Sequence, residues 1–488
     1  MRRFFWLLAL LALVVWAEEG PASPSTLDAR LQQAYQALEQ GDYATAIELF
    51  EDVVALDWRN FQGHFGLGLA YFRSGKLKEA LFEFKQLTKL FPDRFEAWYN
   101  LGVTQAKLSD WQGAAKSLAR ALQVGESAKL PPQTLRPAYL ALAEAYRKLE
   151  APDKAAEVLS RAYRALPGDV EVTLLLADAL VASGKGEDAI PYLYEVLAKD
   201  RGNVTASLLL ADVLVDLGLP ERAVRELDRS IEAAKSESDR ARLLYKKALV
   251  LAAAGADRQE VERLLEEAIQ LDPGLWQAHY DVGRLKLALG DAEAALREFM
   301  LAYRENPEDP RVLIGLAAAY DALGKAEHAY RMAKLALTKA EGAERIEALF
   351  LLGKNAYRTG RYEEAVEALK KVVAERKNDA DAWYWLGLAL YAQKDYGKAV
   401  TALERAAQLD NRIEVLEALG TAYLAARRYS DAERVFTEVV KKDPRRAEAW
   451  YHLGWALKAL GRDSEAKRAW KKALELGYKP ARGLVGSP

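Results

Sequence analysis

The sequence predicts an all-α chain of stacked antiparallel helix pairs, and three observations carry that expectation. A unit recurs along the chain, each copy holds two stretches with apolar residues at helical spacing, and a short polar turn separates them. The unit is plainest from Glu96, as EAWYNLGVTQAKLSDWQGAAKSLARAL, and it returns from Asp381 and from Glu448. Within the first of these, Trp98, Leu101 and Gly102 form one stripe, and Ala114, Leu118 and Ala121 form the facing one. The turn between stripes reads Leu108-Ser109-Asp110 here and Gly360-Arg361-Tyr362 later, with Asp42 and Asp291 placed as helix caps. Pro92, Pro167, Pro273, Pro307 and Pro444 close units, because proline stops a helix. Gly68, Gly102, Gly283, Gly353, Gly387, Gly420 and Gly454 lie inside first helices, at a propensity cost of about 1 kcal/mol each. Their recurrence predicts close approach of two helices.

The order of marks (aromatic, Leu-Gly, Tyr, Ala, aromatic, Pro) resembles the tetratricopeptide repeat, whose period is about 34 residues. Copies beginning near Leu27, Phe61, Phe95, Arg136, Val170, Val204, Ala241, Trp276, Pro310, Ile346, Ala380, Ile413 and Ala447 cover 27–478, about thirteen in all. The resemblance implies a right-handed superhelical solenoid whose first helices line an inner, concave wall. It says little about function, since such scaffolds serve many partners.

The beat is broken at Val124 to Leu135, Ala233 to Arg240 and Thr338 to Arg345. The chain therefore divides into a spacer at 18–26, blocks at 27–125, 136–235, 239–338 and 344–478, and a frayed tail at 479–488. The breaks read as insertions tolerated at turns, with hinges or loop contacts as the functional alternative.

At 51% hydrophobic and 29% charged, 488 residues can bury a long continuous core, which suits a solenoid better than one globule. A formal net charge of -2 gives no electrostatic footprint for nucleic acid. The basic pairs Lys441-Lys442 and Arg427-Arg428 sit beside Asp443, Glu433 and Glu438, as on a solvated helix face.

Arg2 and Arg3 precede an apolar run from Phe4 to Trp16, then Ala17 and acidic residues. That is the order of a secretory signal, with cleavage after Ala17 leaving no stable membrane span. The run is shorter than the roughly 20 residues that cross a bilayer, so an uncleaved anchor is the lesser reading. The chain is thus expected to be exported to the periplasm or cell envelope. The absence of cysteine removes disulfides, thiolate metal sites, a Cys nucleophile and Cys lipidation together.

Little else suggests chemistry. His64, His279, His328 and His452 are the only histidines, and none is expected to have a second His or a carboxylate at the i, i+4 spacing of a helical zinc pair. His64 and His279 occupy the slot that Trp98, Trp383 and Trp450 fill in other copies, which predicts packed interhelix rings. Gly66-Leu67-Gly68 begins like a phosphate loop but lies inside a first helix with no strand before it. No catalytic residue, cofactor or metal is expected, and the chain reads as a non-enzyme.

What remains is surface. The second, fifth, ninth and twelfth residues of each first helix share one face, the face that the resemblance places on the concave wall. Those slots offer Phe65 and Phe72, Tyr99, then Asp178 and Asp212, then Tyr280, Phe350, Tyr357, Tyr384, Tyr391, Tyr451 and Trp455. Two aromatic stretches thus flank an acidic middle. Such aromatics are the expected anchors for protein or peptide partners, and the structural alternative is that they pack against neighbouring repeats. Stacking on sugar rings would use the same residues, which leaves a carbohydrate-binding or polysaccharide-export role as the alternative function. Some arrays of the family hold a C-terminal carboxylate with a Lys and Asn set whose Asn falls in the ninth slot. No Asn stands there in this chain. The expected function is an envelope scaffold for protein partners, of the kind that organises pilus, secretion or exopolysaccharide machinery.

Overall fold

A computed structural model describes residues 26–485. The signal and most of the spacer expected at 1–25 lie outside the described residues. Among those described there are 26 α-helices and a 3-10 turn, Lys479–Leu484, in which each helix is followed by its antiparallel partner. No helix among the described residues is long and apolar enough to cross a membrane.

The chain divides into two compact units after Gly255, in the turn of the seventh repeat. The first helix of that repeat, Glu237–Ala253, packs on Val204–Asp216 and Pro220–Glu232 within unit 1. The second, Arg258–Leu271, packs on Trp276–Ala288 within unit 2. Inside each unit, first helices of successive repeats touch, as Val204–Asp216 does Glu237–Ala253 and Pro310–Ala322 does Gly342–Arg358. Among the described residues, second helices make no comparable contact with each other. Within each unit the first helices therefore form the inner layer.

The glycines explain how each pair closes. A Cβ added at Gly68, Gly102, Gly283, Gly353, Gly387, Gly420 or Gly454 would stand 2.3–2.8 Å from Phe84, Leu118, Phe299, Leu369, Leu403, Phe436 or Trp470 respectively. In every case the partner lies sixteen residues on, in the second helix of the same repeat. Gly66 has the same task toward the preceding repeat, where its Cβ would meet the Phe50 ring at 2.2 Å. The Gly66-Leu67-Gly68 run is thus a packing element on two sides.

The slot shared by His and Trp has one role. The ring N–H of Trp98, Trp383 and Trp450 donates to the carbonyl of Pro92, Lys377 and Pro444, six residues earlier, at 2.8–3.0 Å. His64 Nε2 meets the Trp58 carbonyl at 3.0 Å and His279 Nε2 the Pro273 carbonyl at 3.1 Å. Each ring ties the incoming loop to the helix. The two histidines add a second bond, Nδ1 to Glu83 at 2.8 Å and to Glu298 at 2.7 Å.

A carbonyl and a carboxylate both accept, so a charged His64 satisfies both partners. The Glu83 bond is the main reason that the His64 pKa rises above its ordinary value of 6.5. A raised folded pKa contributes stability that is complete below the unfolded pKa and lost as pH rises through the folded one. The urea midpoint of the wild-type chain should therefore fall from pH 6 to pH 8 by more than that of His64→Gln. Parallel curves would show that His64 does not titrate against Glu83.

At the three breaks in the beat, the extra residues are helical. The helices expected from Arg136, Ala241 and Ile346 begin four residues earlier, at Pro132, Glu237 and Gly342, and each runs for 17 residues. Four residues are about one helical turn, so the inner face keeps its register. The described part of the tail expected at 479–488 is folded rather than frayed: Ala481 is fully buried, and Tyr478, Leu484 and Val485 pack on the last repeats. The Lys479–Leu484 turn packs on the second helix Asp463–Glu475.

Candidate functional site

The inner layer of unit 2 carries two groups of aromatic rings. Phe350, Tyr357, Trp385 and Tyr391 pack on one buried cluster, and Tyr384, Tyr391 and Tyr451 on the next. Tyr391 joins the two. Trp385 is the centre of the first group, with Tyr357 at 5.7 Å and Tyr384 at 5.4 Å between ring centroids. Lys354 Nζ and the Arg358 guanidinium lie 5.4 and 5.2 Å from the Trp385 ring centroid. Both cations also bond the nearly buried Asp321 carboxylate, each at 2.7 Å. The group ties together repeats 9, 10 and 11 while leaving its rings half-buried.

The second group stands at the C-terminal end. Tyr451 meets Trp455 at 6.3 Å and Tyr478 of the terminal turn at 4.9 Å, and Trp455 meets the buried Trp470 edge-on at 5.4 Å. Trp470 is held by its own N–H, which donates to the Tyr451 carbonyl at 3.1 Å. Trp455 is 41% exposed. It is an aromatic ring on a rigid support, open to a partner.

Between the groups, at the same slot as Tyr384 and Tyr451, comes Glu417. Burial pushes its carboxyl up from the ordinary value, opposed by the charge of Arg446, whose guanidinium lies 3.3 Å away. Burial likewise raises the hydroxyls of Tyr357 and Tyr384. The wall is therefore partly desolvated before any partner arrives.

The other candidates are less available. Tyr99 is a correction: at 3% exposure it belongs to the core, stacked on Phe95 at 5.6 Å. Tyr99 shares one buried cluster with Leu118 and Leu122, which gives the ring apolar surroundings. Phe65 stacks on Phe61 at 5.6 Å, and Phe72 packs on the two clusters that run from repeat 1 into repeat 5. Tyr280 lies against Phe299 at 5.8 Å with Arg284 over its ring. In the acidic middle, Asp178 is exposed and Asp212 pairs with Lys246. Trp385 and Arg358 fall outside the four slots, while Lys354 in the ninth and Asp321 in the twelfth lie within them but are not among the expected site residues. Trp385 is in the sixth slot, and its signal was the pair of cations about one repeat before it.

No group of three or more His, Cys, Asp or Glu among the described residues is placed to hold a metal ion. The expectation that no histidine has a carboxylate at helical spacing is corrected at His452. Its Nε2 lies 3.6 Å from Glu448, four residues before, while the imidazole stacks on Phe436 at 5.4 Å. Burial holds His452 below its ordinary pKa.

Models of the tetratricopeptide repeat match residues 37–108 and 180–248, 136–179, and 350–412 and 417–479. BBSome complex member BBS4 of Bos taurus is 26% identical over 198 residues, which cover 40% of this chain and 37% of that protein. Superkiller complex protein 3 of Homo sapiens is 24% identical over 442 residues, 87% of this chain and 25% of that one. The chain thus spans between a quarter and somewhat over a third of these relatives. Among solved structures, the APC/C hetero-tetramer Cut9-Hcn1 is 17% identical, with 95% of this chain and 96% of that one covered at a TM-score of 0.40. MamA is 28% identical over 34% of this chain and 97% of its own, at a TM-score of 0.31. Repeat motif, helix pairing and family models agree, and the chain belongs to the tetratricopeptide repeat family.

Proposed function

We propose that the chain is a non-catalytic scaffold of the cell envelope that holds protein or peptide partners against the inner wall of its C-terminal unit. A tetratricopeptide array is suited to protein–protein interaction, and arrays of this family bind protein partners. The observation that carries the choice of site is Trp455, a 41% exposed ring braced by Trp470, at the end of a run of half-buried rings from Phe350 to Tyr451. Large aromatics lose little side-chain entropy on binding and dominate interface energetics. The envelope location draws support from the Arg2-Arg3 and Phe4 to Trp16 order, and assembly of pilus, secretion or exopolysaccharide machinery is the class of process that suits it.

The test is a crosslinking pull-down from the envelope fraction with the wild-type chain, Tyr384→Ala/Trp455→Ala, and Thr421→Arg. The last adds bulk to the wall without removing core atoms. Both variants should lose the same partners while keeping their helicity and melting. Partners retained by both would remove the wall as the site, and release by soluble polysaccharide would favour sugar as the ligand.

A further inference from the structure

The turn inside each repeat has one residue in the left-handed conformation, and the choice of that residue is uneven. Nine repeats place glycine there, from Gly41 to Gly461, with φ between 70° and 83°. Glycine takes this conformation without steric cost, whereas a Cβ is brought too close to the following carbonyl. Repeats 11 and 12 nonetheless carry Lys394 at φ 65° and Arg427 at φ 61°. Ser109 and Glu150 share the conformation in repeats 3 and 4, with unlike side chains. Only Lys394 and Arg427 repeat one chemistry on adjacent turns, and strain that glycine would remove points to a use for the side chain.

That use is not within the chain. Both side chains are exposed, and among the described residues neither has a hydrogen bond, ion pair or ring contact. The nearby carboxylates are already taken: Asp395 by Lys398 at 2.6 Å, Glu404 and Asp431 by Arg428 at 3.1 and 2.8 Å, and Glu433 by Arg462. Two like charges therefore stand uncompensated on neighbouring turns, in repeats whose first helices touch. Each follows by three residues a twelfth-slot side chain at the edge of the inner wall, Tyr391 and Leu424.

We propose that Lys394 and Arg427 are a cationic pair at the rim of the wall that holds an acidic segment of a partner protein, one carboxylate at each turn. Packed helices lie about 8–10 Å apart, a span that an extended chain covers in about three residues. The fitting segment therefore has Asp or Glu about three positions apart. Two isolated charges suit such a segment, whereas nucleic acid calls for a broader basic face than a chain of net charge -2 offers. The pair rests on the reading of this wall as a protein-binding surface and adds to it the charge of what is bound.

The probe is a displayed library of random peptides selected on the full chain. Enriched peptides are then titrated singly against wild type, Lys394→Gly/Arg427→Gly, Lys394→Gln/Arg427→Gln and Tyr384→Ala/Trp455→Ala. The expected peptides carry Asp or Glu about three positions apart, bind both Lys394/Arg427 variants roughly five- to tenfold more weakly than wild type, and lose affinity as salt rises. The glycine variant should at the same time raise the urea midpoint, because relief of the left-handed strain exceeds the freedom that glycine adds to the unfolded chain. Peptides that need the wall rings yet bind both Lys394/Arg427 variants as tightly as wild type would overturn the pair and leave the wall reading standing. Peptides held equally by all four chains, or enriched without acidic residues, would overturn it as well, and a midpoint lowered by glycine would remove the strain on which it stands.

Discussion

Phe299→Ala is expected to cost about 3–5 kcal/mol and to loosen repeats 8 and 9 ahead of the rest of unit 2. Phe299 is fully buried, and its ring lies between two glycines on successive first helices. A Cβ at Gly283 would meet the ring at 2.8 Å and one at Gly315 at 2.6 Å. Neither glycine has a side chain that can relax into the space left by the ring; the buried walls are Ala295, Leu316 and Ala319, and the half-buried Tyr280 ring stands at 5.8 Å. The two glycine faces of the vacated volume therefore cannot close, which sets the cost within the range for a buried Phe→Ala, lowered to the extent that Tyr280 moves in. In a repeat array each unit is stabilised mainly by its neighbours, so the loss should be local before it is global. Hydrogen exchange should show reduced protection over 276–322 first, together with a lower urea midpoint. A loss below about 1 kcal/mol would mean that the helices are not packed as closely as the glycines indicate.

Gly66→Ala should also destabilise, although helix propensity alone predicts the reverse. Alanine is favoured over glycine in a helix by about 1 kcal/mol. Against that, the new methyl would stand 2.2 Å from two carbons of the Phe50 ring, which is itself fully buried. Overpacking costs typically 1–3 kcal/mol, and a contact this short between two helices calls for backbone movement rather than a rotamer change. The clash wins, and the net loss should be about 1–2 kcal/mol. Gly397 supplies the control, because a Cβ there meets nothing within 4 Å. Gly397→Ala should gain about 0.4–1 kcal/mol, measured by the same urea titration. Two substitutions of one chemistry and opposite sign separate packing from propensity; a gain at both sites would refute the packing argument.

Much of this architecture is legible in the sequence, because a repeat states its packing rule many times. The Leu-Gly mark predicts close approach, and the structure puts a large side chain sixteen residues on against each such glycine. The caps Asp42 and Asp291 accept from Thr45 and Ala294 as their positions suggest. The added helical turns are harder to see, since Pro131-Pro132, Ser236 and Gly342 read as breakers. Two of them are start signals: Pro132 occupies the first helical turn, and Ser236 caps its helix by accepting from the Asp239 amide at 3.1 Å. The ordered tail is hidden for a similar reason, because Gly477 and Pro480 suggest fraying while Tyr478, Ala481 and Leu484 recur every third residue toward the core.

The candidate wall is legible only in outline. Slot counting places a ring on a helix face but does not say whether a neighbouring repeat covers it, and burial separates Tyr99 at 3% from Trp455 at 41%. Tyr99 is in the fifth slot, stacked on Phe95 within a buried cluster. Trp455 is in the ninth slot, edge-on to Trp470 at 5.4 Å and 41% exposed.

Site-specific photo-crosslinking in the envelope tests the central claim most directly. A photoreactive side chain is placed at Leu388 and at Trp455 on first helices, and at Thr401 and Lys441 on second helices of the same repeats or their neighbour. The account predicts protein adducts from 388 and 455 and few from 401 and 441. Adducts concentrated at 401 and 441, with none at 388 and 455, would contradict it and move partner binding to the outer layer.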